Sequence, residues 1–299
     1  MKNTLYTPTI ILMAIAAGIC TGSNYFSQPL IHSMSQNLQL PETMVSWVPT
    51  LAQIAYACGL FLLMPLGDIL EKRRLLFCFM LFAALGLIIS GISLHISLLI
   101  LGTLITGLFS VAAQLLLPLA ASLVPAQQSG RVVGFLLSGL MMGVLLARSL
   151  SGLASSLFAW NFIYLASGIL LFCIAFILHR NIGVFPPTST ESYTYTLRSL
   201  ASIFVTNQRL RRRSYIGGLT FAGVSMTFTT MSLLLAPAPY HMSDFSIGLF
   251  GLVGIVGVFI ANFTGKFIDR GYIHQISILC SLGLIICWLL FLLTPYQLA

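Results

Sequence analysis

Pro65-Leu66-Gly67-Asp68-Ile69-Leu70-Glu71-Lys72-Arg73-Arg74 is the densest run of charge in the first half of a chain that otherwise carries very little. Apolar runs of about twenty residues flank it, long enough at 1.5 Å per residue to cross the roughly 30 Å hydrocarbon core of a bilayer. These charges therefore belong where two membrane spans meet water. A weaker echo, Gly265-Lys266-Phe267-Ile268-Asp269-Arg270-Gly271, lies between two later apolar runs. The chain reads as two related halves, each with a short charged loop on the same side of a membrane.

Working outward, the rest of the sequence divides in the same way. With 58% hydrophobic residues, 7% charged and a mean hydropathy of +0.99, the composition is that of an all-α polytopic membrane protein rather than a water-soluble domain. Nine spans are predicted, at 8–28, 44–66, 75–93, 96–119, 132–153, 159–178, 214–236, 245–264 and 273–293. Residues 1–180 then form a six-helix bundle, 181–213 a cytoplasmic linker and 214–299 a partial bundle of three helices.

A net charge of +8 invites a nucleic-acid partner, but the placement of the cations excludes one. If the spans alternate, every Lys and Arg except Arg148 falls on one side, while the loops near 29–43, 93–96, 153–158 and 237–244 contain none. Short Lys- and Arg-rich loops stay in the cytoplasm, so the amino terminus is placed there and the charge excess is topological. Membrane lipid is the partner this implies. The six cysteines lie within spans, without CxxC or metal-ligand spacing, and read as small buried hydrophobes. No catalytic or metal-binding motif is visible, so neither an enzyme nor a cofactor is expected.

Within the oily spans, polar residues recur at helical spacing. Thr21, Asn24, Tyr25 and Gln28 share a face of the first span, Gln53 and Tyr56 a face of the second. Thr106 and Gln114 belong to a stripe on the fourth, and Thr220, Gly223, Thr227 and Thr230 form one on the seventh. Lipid penalises such faces, so they are expected to line a watery cavity or to bond between helices. On the fifth span Gly139, Gly143, Ala147 and Ser151 form a ridge suited to close helix packing. Arg148 follows that ridge, and two readings stand side by side: it snorkels to the interface, or it turns inward to meet a polar or anionic ligand or a tyrosine.

The loop 65–74, the segment Asn24-Tyr25-Phe26-Ser27-Gln28-Pro29-Leu30 and the run from Gly139 to Gly152 resemble the major facilitator superfamily, more narrowly its bacterial efflux permeases. The resemblance implies a twelve-helix fold of two six-helix bundles, here truncated after the ninth helix. It implies a secondary transporter of the bacterial inner membrane that exports a small organic solute, sugar- or drug-like, by alternating access, with protons as a possible coupling ion. A truncated, non-transporting remnant of such a protein is the alternative. The substrate cavity is then expected from Asn24, Tyr25, Gln28, Gln53, Tyr56, Thr106, Gln114, Arg148 and Thr227. By the same likeness, Asp68, Glu71, Arg73, Arg74 and Arg131, with Asp269 and Arg270, make the cytoplasmic gating loops. The sequence departs from the family pattern in having Met64 four residues before Asp68, Thr103 where many members carry an arginine, and Ala159-Trp160-Asn161 at the sixth helix.

Overall fold

Proline and glycine set most of the breaks between helices. The computed structural model describes residues 3–187, 191–237, 240–254 and 272–293, and among these every regular element is helical. Helix α1, Asn3–Gly22, tightens into a 3-10 turn at Ser23–Tyr25 before α2, Ile31–Leu38, which stops where Gln39 takes a left-handed φ of 54°. Pro41 opens α3, Glu42–Val45, which runs on through α4, Trp47–Leu62, and α5, Leu66–Ile69. Leu70 then turns extended, and Glu71 starts α6, Lys72–Gly91. Helices α7, Ile96–Phe109, and α8, Ala112–Ser122, follow, and Pro125 precedes α9, Ala126–Leu157. The chain continues through α10, Phe162–Asn181, α11, Tyr193–Thr206, α12, Gln208–Leu235, α13, Asp244–Gly254, and α14, Ile273–Leu293.

Seven segments among the described residues are long and apolar enough to cross a membrane, from Pro8–Tyr25 to Gln208–Leu235, and each overlaps one of the first seven predicted spans. The eighth prediction is described only as far as Gly254, and the ninth coincides with α14.

Small residues bring the long helices together. A Cβ on Gly143 would lie 2.2 Å from the Gly18 carbonyl oxygen, and one on Gly139 would lie 2.9 Å from that of Ala14. The ridge on α9 therefore packs backbone to backbone on α1, as its four-residue repeat predicts. A main core of buried residues from α1, α6, α7, α8, α9 and α10, including Met13, Met80, Leu116 and Leu171, lies behind this seam. One expectation needs correction. Only Cys20 is buried, whereas Cys58, Cys78, Cys173, Cys280 and Cys287 are exposed on the helix surfaces, because a thiol is apolar enough to face lipid as well as a core. Trp160, just before α10, is buried against Tyr164 at a ring distance of 6.1 Å.

Candidate functional site

Where α1 gives way to the tighter turn, its polar stripe meets α9. The Arg148 side chain, 5% exposed, turns inward and donates from Nε to Gln28 Oε1 at 2.7 Å and from Nη1 to the Val144 carbonyl at 3.2 Å. Its guanidinium lies 4.6 Å from the centre of the Tyr25 ring and 3.9 Å from that of Phe228 on α12. Snorkelling is thereby excluded. Inserting an arginine in a membrane costs about 2.5–3.5 kcal/mol on insertion scales, and each aromatic face returns roughly 0.5–2 kcal/mol. Two rings and two hydrogen bonds can offset that cost, but none of them neutralises the charge.

Beside this cluster lies a cavity of about 390 Å³ between the turn after α1, α4 and α12, within the size range of small-molecule sites. Gln28, Thr50 and Gln53 line one wall, Phe221, Ser225 and Thr229 the other. Among the described residues the buried Gln53 Nε2 has no acceptor. Thr227 is not on the lining face: its hydroxyl bonds back to the Gly223 carbonyl at 2.9 Å, and Gly223 faces Leu284 and Trp288 of α14. The predicted stripe on α12 therefore points mainly elsewhere, with only Thr230 from it at the cavity.

The other predicted cavity residues lie deeper. Asn24 and Thr106 border a separate void of about 10 Å³. Asn24 Oδ1, Ser90 Oγ and Thr103 Oγ1 there lack a protein partner, and a single water could satisfy them. Gln114 donates to the Tyr56 hydroxyl at 3.1 Å, tying α8 to α4. Of the predicted cavity residues, Gln28 and Gln53 line the 390 Å³ cavity, Arg148 and Tyr25 stand beside Gln28, and Asn24, Thr106, Tyr56, Gln114 and Thr227 are not in its wall.

At one end the helices close tightly around Asp244, a residue the polar stripes do not include. Its Oδ2 accepts from Ser33 Oγ and from Ser155 Oγ, the latter at 2.7 Å, so a carboxylate on α13 joins α2 and α9. A Cβ on Gly152 would meet the Asp244 carbonyl oxygen at 2.3 Å, one on Gly248 the Arg148 carbonyl oxygen at 2.5 Å, and Ser149 donates to the Gly248 carbonyl at 2.9 Å. An acid in an otherwise uncharged loop was the one available sequence signal. At the opposite end, Gly130, Gly134, Gly217 and Gly218 have no neighbour within 4 Å of a Cβ position.

The charged loop serves its own bundle. Glu71 caps α6, accepting from the backbone N–H groups of Arg73 at 2.9 Å and Arg74 at 3.1 Å, and from Phe185 at 3.3 Å. Burial pushes its carboxyl up, but these N–H groups and the Arg74 guanidinium outweigh that and hold it below the ordinary glutamate value. Arg73 lies in a slot with Phe77 and His179, between α6 and α10, while Arg74 and Arg131 are exposed. Glu71 and Arg73, expected to gate, make their contacts with α6, α10 and, at Phe185, the start of the linker. Asp68 has a partner of its own. Asp269 and Arg270 lie outside the described residues.

A model of the Major Facilitator Superfamily matches residues 13–299. The chain belongs to that superfamily. The facilitator is 41% identical over 280 residues to the uncharacterized transporter YgaY of Escherichia coli O157:H7, covering 94% of this chain and 71% of that one. To the probable transporter SCO4007 of Streptomyces coelicolor it is 26% identical over 260 residues, covering 87% and 60%. Among solved structures it resembles the peptide transporter POT in complex with alafosfalin, at a TM-score of 0.52, 13% identity and 77% coverage of this chain. The POT family transporter PepTSo is similar at a TM-score of 0.50, 15% identity and 84% coverage, and this chain spans 52% of each of those two structures. At that identity the likeness shows the fold. This facilitator is a multi-pass membrane protein of a transporter family, with a small molecule as the class of substrate.

Proposed function

We propose that this chain moves a small organic solute out across the bacterial cytoplasmic membrane by alternating access, with its amino terminus in the cytoplasm. What supports the reading is a cavity of about 390 Å³ between the turn after α1, α4 and α12, in a bundle whose helices close around Asp244 at one end and leave glycines uncovered at the other. A solute site with one closed end is one state of an alternating pair. The Lys- and Arg-rich loops support a cytoplasmic position for the loose end. Export and proton coupling are supported by the likeness to efflux permeases alone.

The test uses the Asp244 contact itself. Ser33 and Asp244 touch through their side chains, so S33C with D244C places two thiols within disulfide reach. Oxidation should stop solute movement in proteoliposomes, and reduction should restore it to the level of the reduced double variant. Continued movement with the bridge formed would overturn alternating access.

A further inference from the structure

We infer that the solute carries an anionic group, a carboxylate or its equivalent, that docks on Arg148. The inference rests on the transport reading and names its substrate class. Arg148 is buried, and among the described residues no carboxylate pairs with it. Glu42 is held by His32 at 2.6 Å, Glu71 by the backbone of α6, and Asp244 by two serines. Among the described residues, two of its five guanidinium N–H donors meet acceptors, and both acceptors are neutral.

The position relative to the cavity gives this charge a use. Gln28 lines the cavity and also holds Arg148 Nε, so the guanidinium lies one neutral side chain behind the wall. An entering carboxylate would displace Gln28 Oε1 and replace a neutral acceptor by a charged, two-pronged one, a stronger partner for a planar fork. Gln53 Nε2, on the same wall, is a second donor without an acceptor. Among the described residues, none of the cavity-lining side chains is charged. Phe221, Met226, Pro49 and Ile54 offer an apolar surface to the rest of the solute. Donors at one end and oil along the sides describe a small organic acid with an apolar body. Phe228 stacks on the same guanidinium from α12, so ligand arrival there also changes the contact between α9 and α12.

The experiment compares acids with their amides, equal in shape and different in charge: benzoate with benzamide, nicotinate with nicotinamide, indole-3-acetate with indole-3-acetamide. Thermal unfolding of the purified chain in detergent reads binding, and competition in proteoliposomes reads flux. At least one acid should raise the melting temperature and be preferred over its amide by about tenfold or more. R148K should keep part of the preference and R148Q lose it. Q28E supplies the carboxylate from within: it should leave the protein folded and abolish acid binding, which keeps the proposal testable if R148Q does not fold. Amides binding as well as acids, an unchanged preference in a folded R148Q or Q28E, or no melting shift with any acid would each overturn the inference. Acid binding together with a failed disulfide lock would instead overturn the transport cycle and leave the anion site standing.

Discussion

Glu71 belongs to the charged loop that resembles a gate, yet its oxygens are occupied at the start of α6 and at Phe185. A helix begins with unsatisfied N–H groups, and a carboxylate that accepts from two of them is a cap as well as a charge at the positive end of the helix. E71A should lower stability by about 0.5–2 kcal/mol, as loss of a cap does, measured by thermal unfolding in detergent. The sign with pH follows from the carboxyl lying below its ordinary value. Its contribution is complete above the unfolded glutamate value of about 4.3 and is lost as pH falls through the lower folded value. The melting-temperature gap between wild type and E71Q should therefore hold at neutral pH and close only on acidification beyond that point. A gap independent of pH would reject the assignment. Arg148 teaches the converse lesson, since its isolation in the sequence left two readings open and the ring of Phe228, eighty residues on, chose between them.

Between elements, the seam of α1 on α9 is held by the absence of side chains. G143L asks a side chain to occupy space already filled by the Gly18 carbonyl, and should destabilise by about 1–3 kcal/mol or more. G134L, on the same helix and with nothing within 4 Å, should be tolerated. Equal melting temperatures for the two variants would show that the seam is not tight. The four-residue repeat made this ridge readable in advance, because a contact built from small residues is written in the residues themselves. The α12 stripe was a less faithful guide. Thr227 fills its hydroxyl within its own helix, and the neighbouring face, Phe221, Ser225 and Thr229, turns to the cavity. Periodicity says that residues share a face but not what that face meets.

For the molecule as a whole, the contrast is between an end closed around Asp244 and one with open glycines. A cysteine at Gly218 should react quickly with a bulky water-soluble maleimide, and one at Ser232, 1% exposed, slowly. D244A removes a hydrogen-bonded charge worth roughly 1.5–3 kcal/mol and should speed labelling at Ser232 by about tenfold or more. Unchanged labelling would mean that the carboxylate does not hold that end shut.

The first seven spans and the all-helical class were legible from the chain alone, because hydropathy over twenty residues is a local quantity that a bilayer reads directly, and membership of the superfamily was legible from its motifs. So was the α9 ridge. The tertiary structure alone decided that Arg148 faces Tyr25, Gln28 and Phe228, that Thr227 does not line the cavity, and that Asp244 joins Ser33 to Ser155 across 211 and 89 residues. A side chain's partner is set by how helices far apart in sequence rotate and approach, and that follows from the packing of all of them together.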